Sequence, residues 1–408
     1  MSSKRKDYFI FFAGLIGTFS LRILGTFYLI EILAFVSYLF IPWRRYARNP
    51  RMVKLLKFAF LWLLGAIIAD LWNHTGQTEM LKGWFNIIIF IGLLPFVYWA
   101  LEDNPKRWIW YVAGNGISSL LSFYLVRSAE IEGFGYEIWQ LYAWGPFAVA
   151  VAGILYYKGY HKIAMFAYLG WAVYALYGGS RNLFLTISLA VCIMYMIDKS
   201  GKISIVDQLT RFKSRLIPIF ISLVIGALVV EKVYENLAST GALGDHAYEK
   251  YIKQKYSSGN LLESGRAETF MGLEIALKRP IVGYGSFVVY KPGMFSDTNL
   301  NSRLQDYYHS VTIDYLPTHS HIIGYWVYHG ILGAIFWLYV LVLMWRLFTS
   351  GAFMYEPKMI GHCVYFSVAV LWAICFSPFG QRTPMAFFII YLIILEDYYL
   401  KDRYKVFS

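Results

Sequence analysis

Five side chains in this sequence combine a reactive type with a position suited to chemistry: Arg181, Arg266, Arg382, His319 and His321. Arginine stays cationic and offers a planar fork of donors that fits phosphate oxygens in pairs. Arg181 lies in Gly178-Gly179-Ser180-Arg181-Asn182. There Ser180 and the N–H groups of a helix beginning just after it also suit an anion. Arg266 lies in Ser264-Gly265-Arg266-Ala267-Glu268, and Arg382 in Gln381-Arg382-Thr383-Pro384. Each of these arginines equally suits a lipid-headgroup anchor or a plain ion pair. His319 and His321 stand in Thr318-His319-Ser320-His321. A histidine can take a proton from a hydroxyl near neutral pH; the alternative is a pair of interfacial histidines with no catalytic part. Two histidines without cysteine or acidic companions make a poor metal site, and Asp314 does not complete one. His246, His309 and His329 read as structural. Asp70, Glu263, Glu268, Glu274, Asp306 and Asp314 show no pairing at a recognisable spacing, so no metal ligand set and no cofactor is expected.

The elements that must position these groups are membrane helices. The chain has 408 residues, of which 58% are hydrophobic and 15% charged. A soluble chain carries about 25% charged residues. Mean hydropathy is +0.48, and apolar runs of roughly 20 residues recur along the sequence. The fold class expected is an all-α polytopic membrane protein. The runs lack the alternation of an outer-membrane barrel. The net charge of +12 gathers in short loops, which points to topology rather than to nucleic-acid binding. Cys192, Cys363 and Cys375 fall inside apolar runs, which leaves no disulfide frame and no zinc spacing. Ser2-Ser3-Lys4-Arg5-Lys6 leads into apolar sequence without a convincing cleavage site, so no signal peptide is expected.

The runs fall at about 8–22, 24–42, 55–71, 84–101, 108–126, 138–157, 163–177, 183–197, 216–231, 321–347, 361–377 and 385–400. This predicts about 12 spans in three parts: N-terminal helices over 1–231, a large outer loop over 232–317, and C-terminal helices over 318–408. Basic clusters around Arg44–Arg51, Lys158–Lys162, Lys199–Arg215 and Lys401–Lys405 all favour the same inner side. Both termini are then cytoplasmic, and Arg181, Arg266, His319 and Arg382 are external. Within the large loop, 266–279 places Phe270, Leu273, Ile275, Ala276 and Leu277 so that one side is apolar. That predicts an amphipathic helix lying over the membrane domain. Ser264 would cap it and Pro280 would end it. Gly283 and Gly285 would allow a tight turn.

In their order these elements resemble the O-antigen ligase and polymerase superfamily of bacterial inner-membrane proteins. Ser180-Arg181 after a membrane run is similar to the family's first arginine. Gly265-Arg266, Ala276-Leu277, Pro280 and Gly283-Tyr284-Gly285 resemble its arginine, amphipathic helix and Pro-x-x-Gly-x-Gly segment. His319, with Gly330 and Gly333 following, is similar to its loop-ending histidine and Gly-x-x-Gly helix. The family usually has Asn after that histidine, where this chain has Ser320, and His321 is the other candidate for the counterpart. The glycine spacing favours His319.

The resemblance implies a GT-C-like membrane glycosyltransferase with a periplasmic active site, whose loop carries amphipathic helices. Such proteins move a glycan from undecaprenyl diphosphate to an acceptor hydroxyl without nucleotide sugar or metal. The partners implied are the lipid-linked glycan donor, an acceptor that is lipid A-core or a second lipid-linked repeat unit, and the surrounding membrane lipids, with no nucleic acid. Arg181 and Arg266 would hold the diphosphate and His319 would act on the hydroxyl; Ser180, Arg382 and His321 would contact substrate. A ligase and a repeat-unit polymerase share this chemistry, and the single dominant outer loop leans towards a ligase. A transporter or flippase for a lipid-linked anion would use the same arginines, but it usually shows internal repeats and broken helices, and the sequence displays neither. The topology is checked by single-cysteine labelling in a background lacking the native cysteines: Arg266→Cys should react with an impermeant reagent from outside and Lys202→Cys should not.

Overall fold

The computed structural model describes residues 3–22, 26–40, 48–125, 136–178, 180–200, 232–233, 235–242, 248, 251–252, 267–310, 315–316, 319–377, 379–380 and 382–407. Arg266, Ser264, Asp314 and the 216–231 run lie outside them. The described chain is helical apart from one hairpin and the loops. In order it forms α1 (Ser3–Leu15), β1 (Ser20–Arg22), β2 (Thr26–Tyr28), α2 (Leu29–Ser37), α3 (Pro50–Trp72) and α4 (Gln77–Leu101). There follow α5 (Trp108–Leu125), α6 (Tyr136–Tyr157), α7 (His161–Tyr177) and α8 (Arg181–Ser200). The remainder is α9 (Ala267–Lys278), α10 (Thr298–Ser310), α11 (His321–Ser350), α12 (Ile360–Phe376) and α13 (Arg382–Phe407).

Among the described residues, 6 stretches are long and apolar enough to cross a membrane, lying within α3, α4, α8, α11, α12 with its preceding turn, and α13. Helices α5 and α7 have 18 and 17 residues. At 1.5 Å per residue they reach roughly 26–27 Å, against a hydrocarbon core of about 30 Å. The first two apolar runs are divided differently from the expected pair of spans. They hold a 13-residue helix, a two-stranded antiparallel hairpin pairing Ser20 with Tyr28, and a 9-residue helix. Glu31, in the first turn of the second of these helices, is not left facing lipid. Its side chain is fully buried against Arg382, with Arg382 Nε donating to Oε1 at 2.7 Å and Nη2 to Oε2 at 3.0 Å. Oε2 also accepts the Tyr28 N–H at 2.9 Å, which fixes where the hairpin ends and α2 begins.

Local signals set some helix starts. Asn49 caps α3 by accepting from Arg51 N at 2.9 Å and Met52 N at 3.2 Å, with Pro50 at the first position. Ser320 caps α11 by accepting from Ile323 N at 3.1 Å. The helices share a core dense in rings, where Trp62 stacks on Phe336 at 5.4 Å and Phe90 on Trp337 at 6.1 Å. A smaller core of Met271, Ile275, Tyr284, Phe295, Leu300 and Leu304 lies against Val327 and Tyr328 of α11. Helix α9 thus covers part of the bundle as its sequence predicts. Its apolar residues nevertheless split between two faces. Met271, Ile275 and Ala276 are buried, whereas Phe270 and Leu277 are 61% and 59% exposed.

The run 321–347 is not one straight helix, which corrects the expectation that the chain holds no broken helix. Gly330 has φ 65° and ψ −162°, a region open almost only to glycine. In a straight helix, residues 16 apart lie about 24 Å from each other. Yet the rings of His321 and Trp337 are 4.5 Å apart, so the chain turns back on itself at Gly330. The remaining 331–350 is still long enough to span. The fold requires glycine here twice over, because a Cβ on Gly330 would lie 1.9 Å from Ile281 O. Gly330→Ala should cost at least about 1–3 kcal/mol from backbone strain alone, with the clash in addition. Gly293→Ala, at φ 79° with nothing within 4 Å, should lower stability less. Thermal melting of the two purified proteins in detergent measures the contrast.

Candidate functional site

The broken helix creates its own binding edge. At the break, the carbonyls of Val327 and Tyr328 lose their helical partners. They accept instead from Tyr284 N and Gly285 N, both at 2.9 Å. The Pro280–Ser286 loop therefore pairs with the break much as a strand pairs with an edge. Gly283 and Gly285 have φ of 78° and 92°, and a Cβ on Gly283 would lie 2.6 Å from Gly330 N. The loop is fastened at three more points. Trp326 Nε1 donates to Pro280 O at 2.8 Å, Asn73 Nδ2 to Gly283 O at 3.3 Å, and Arg279 Nη1 to Asn73 Oδ1 at 2.8 Å.

Beneath the loop runs a buried chain of polar side chains. Trp62 Nε1 donates to His329 Nδ1 at 3.2 Å, and His329 Nε2 meets Ser286 Oγ at 3.0 Å. Ser286 Oγ donates to Asp70 Oδ2 at 2.8 Å, Ser286 N to Asp70 Oδ1 at 2.5 Å, and Trp84 Nε1 to Asp70 Oδ2 at 2.8 Å. Asp70, Ser286 and His329 are each at most 2% exposed. The donors assign the protons. An indole N–H can only donate, so Nδ1 of His329 is an acceptor and Nε2 carries hydrogen. The Ser286 hydroxyl then accepts from His329 and donates to Asp70, and the Asp70 oxygens accept from three donors in all. This chain ties α3, α4, the loop and α11 together with every proton placed.

The groups singled out by sequence take up distinct environments. Ser180 and Arg181 form the start of α8; Ser180 Oγ donates to Asn182 Oδ1 at 2.8 Å, and Arg181 is half-buried. His319 stands just before the cap of α11, and its side chain is 49% exposed. Its Nδ1 pairs with a carboxylate oxygen of Glu268 in the first turn of α9. The next residue along, Thr269, donates from Oγ1 to His319 O at 3.1 Å. Ser320 Oγ also donates to Ile374 O at 2.9 Å, anchoring this junction to the end of α12.

The helix directions put Arg181 and His319 at the same end of the bundle. Gly361 at the start of α12 packs on Tyr156 near the end of α6, and Tyr168 of α7 stacks on Tyr365 of α12 at 5.4 Å. Helices α7 and α12 therefore start together and finish together, at the end where α8 begins and where Ile374 meets Ser320. His321 turns inward: it is 3% exposed, with its ring against Trp337 and Phe379. Arg382 is engaged by Glu31, by Asn86 Oδ1 at 2.6 Å and by Thr26 O at 2.7 Å.

Three features escape a reading by spacing. Glu268 and His319 lie 51 positions apart, and nothing local marks them as a pair. Glu31 and Arg382 are separated by most of the chain. Asp70 carried a usable signal, being an acid at the end of an apolar run, but its partner Ser286, and His329 beyond Ser286, are distant in sequence. Asp70→Ala leaves three donors unpaired, two buried on Ser286 and a partly buried one on Trp84, at about 1–3 kcal/mol for each buried one. Ser286→Ala removes its own hydroxyl and leaves only the His329 N–H without its acceptor. Asp70→Ala should therefore lower the melting temperature several-fold more than Ser286→Ala, as thermal unfolding in detergent would record.

Residues 164–338 match the protein family described as O-antigen ligase. The matched segment takes in Arg181, Arg266, the Pro280–Gly285 loop, His319, Gly330 and Gly333. It supports the likeness to the O-antigen ligase and polymerase superfamily. No curated protein matches the chain.

Proposed function

We propose, from the O-antigen ligase segment that spans residues 164–338, that this membrane protein is a glycosyltransferase of the ligase type. In this reading it passes a glycan from undecaprenyl diphosphate to a hydroxyl of lipid A-core at the periplasmic face of a bacterial inner membrane. The observation that carries the reading is that one matched segment contains both the arginine at the head of α8 and the histidine at the head of α11, at one end of the bundle.

The chemistry follows from the residue types. Arg181 and Arg266 grip the diphosphate and stabilise the charge that grows on it as the glycosidic C–O bond breaks. The half-exposed His319 receives the acceptor and draws off its hydroxyl proton. Direct displacement through an oxocarbenium-like transition state inverts the anomeric carbon. The two cations do at the leaving group what a metal does elsewhere, so transfer requires no divalent ion. A repeat-unit polymerase is the alternative with the same chemistry; the description of the matched family and the single large loop favour the ligase.

Reconstitution with purified undecaprenyl-diphosphate glycan tests the reading, with lipid A-core and a second lipid-linked glycan offered as competing acceptors. Glycan on lipid A-core is expected; product on the lipid-linked acceptor alone would make the enzyme a polymerase, and no transfer to either would refute the activity. In the same assay Arg266→Lys and Arg181→Ala should each lose roughly 10- to 1000-fold in rate, as befits a transition-state contact of about 1.5–4 kcal/mol. Normal rates in both would remove the arginines from the diphosphate.

A further inference from the structure

We propose that Glu268 is a positioning residue for His319: its carboxylate holds hydrogen on Nδ1, so that Nε2 is the nitrogen turned to the acceptor hydroxyl. The inference rests on the glycosyl-transfer reading above and adds a residue to it. A neutral imidazole can carry its proton on either nitrogen, and only the bare one can act as a base. Glu268 pairs with Nδ1. An ionised carboxylate can only accept, so the paired nitrogen is the one that carries hydrogen.

The mount is built on both sides of the junction. Thr269, next to Glu268, donates to the His319 carbonyl at 3.1 Å, so one helical turn grips both the backbone and the ring of the histidine. On the other side Ser320 caps α11 and donates to Ile374 O at 2.9 Å. Glu268 also sits in the first turn of α9, where the helix dipole favours its negative charge. A freely exposed ion pair is worth little. The Glu268 side chain, however, is only 24% exposed, and the backbone on which His319 stands is fixed.

The step then balances. The acceptor oxygen forms a bond to the anomeric carbon while the bond from that carbon to the diphosphate oxygen breaks and its electron pair leaves with the phosphate. The hydroxyl proton passes to Nε2 of His319. The resulting imidazolium faces the Glu268 carboxylate, which lowers the cost of its charge, and the proton later returns to solvent. Glu268 itself takes no proton.

The test uses the full chain reconstituted with undecaprenyl-diphosphate glycan and lipid A-core. Glu268→Gln replaces an obligate acceptor by an amide that can donate to Nδ1 and so favour the wrong tautomer. Its kcat should fall about 100- to 10000-fold, the usual weight of a general base. The KM for the donor should stay within about twofold, since the change leaves diphosphate binding intact. Glu268→Asp should recover part of the loss. Nitrogen NMR of protein labelled at histidine, with the His319 signals assigned from a His319→Gln sample, should show hydrogen on Nδ1 in the native chain and on Nε2 in Glu268→Gln. Native kcat in Glu268→Gln, or hydrogen on Nε2 in the native protein, would overturn the proposal. If Glu268→Gln does not fold, the native tautomer and the turnover of Glu268→Asp decide it. A native chain that transfers no glycan would defeat the enzymatic reading, while the tautomer would still report whether Glu268 holds His319.

Discussion

Much of this structure depends on one backbone contact, the docking of the Pro280–Gly285 loop onto the break in α11. A helix broken inside a largely apolar protein leaves carbonyls that water cannot reach, and each must find a donor. The loop supplies two, from Tyr284 and Gly285. The approach is so close that side chains are excluded from both surfaces, at Gly330 on the helix and at Gly283 on the loop. Neither glycine has meaning alone; each is the space the other backbone occupies.

That contact fixes the position of the proposed site. Since α9 runs directly into the docked loop, fixing the loop fixes the helix, and with it Glu268 and Thr269. The first half of α11 is fixed by the same break, and His319 precedes it. The histidine and its carboxylate therefore come from two segments that the docked loop holds in register. Below them, the Trp62–His329–Ser286–Asp70 chain makes the arrangement directional. Each proton has one place to be, so a slip of the loop would strand several buried donors at once.

Buried charge is treated in the same way elsewhere. Glu31 and Arg382 neutralise each other inside the bundle, which anchors the N-terminal hairpin to α13. At the other end of the helices Arg51 pairs with Asp397, and Arg346 with Glu396 at 2.6 Å. The side chain of Arg107 is fully buried between Asp7 and Asp103, both at 2.6 Å. Burial alone would raise the pKa of Asp103, but hydrogen bonds from Arg107 and Lys6 pull it below the usual carboxylate range. Several basic residues that read as loop charge thus also tie helix ends together.

The sequence by itself determined the membrane class, the positions of most helices from α3 onward, the amphipathic α9 and the tight turn at Gly283 and Gly285. These follow from hydropathy, capping residues and glycine, which act over a few positions. It also singled out Arg181, Arg266, Arg382, His319 and His321 as candidates for chemistry, because residue type alone limits what can hold a phosphate or move a proton. Only the tertiary structure decided that the first two apolar runs hold short helices and a hairpin, and that the partner of Glu31 is Arg382, at the far end of the chain. Only the fold could break α11 at Gly330, because the reason for that glycine is the backbone of Ile281. It also took the fold to give His319 its carboxylate and to turn His329, which the sequence marks only as structural, into a link in a proton-ordered chain. Such pairings join residues tens to hundreds of positions apart, where no local pattern can record them.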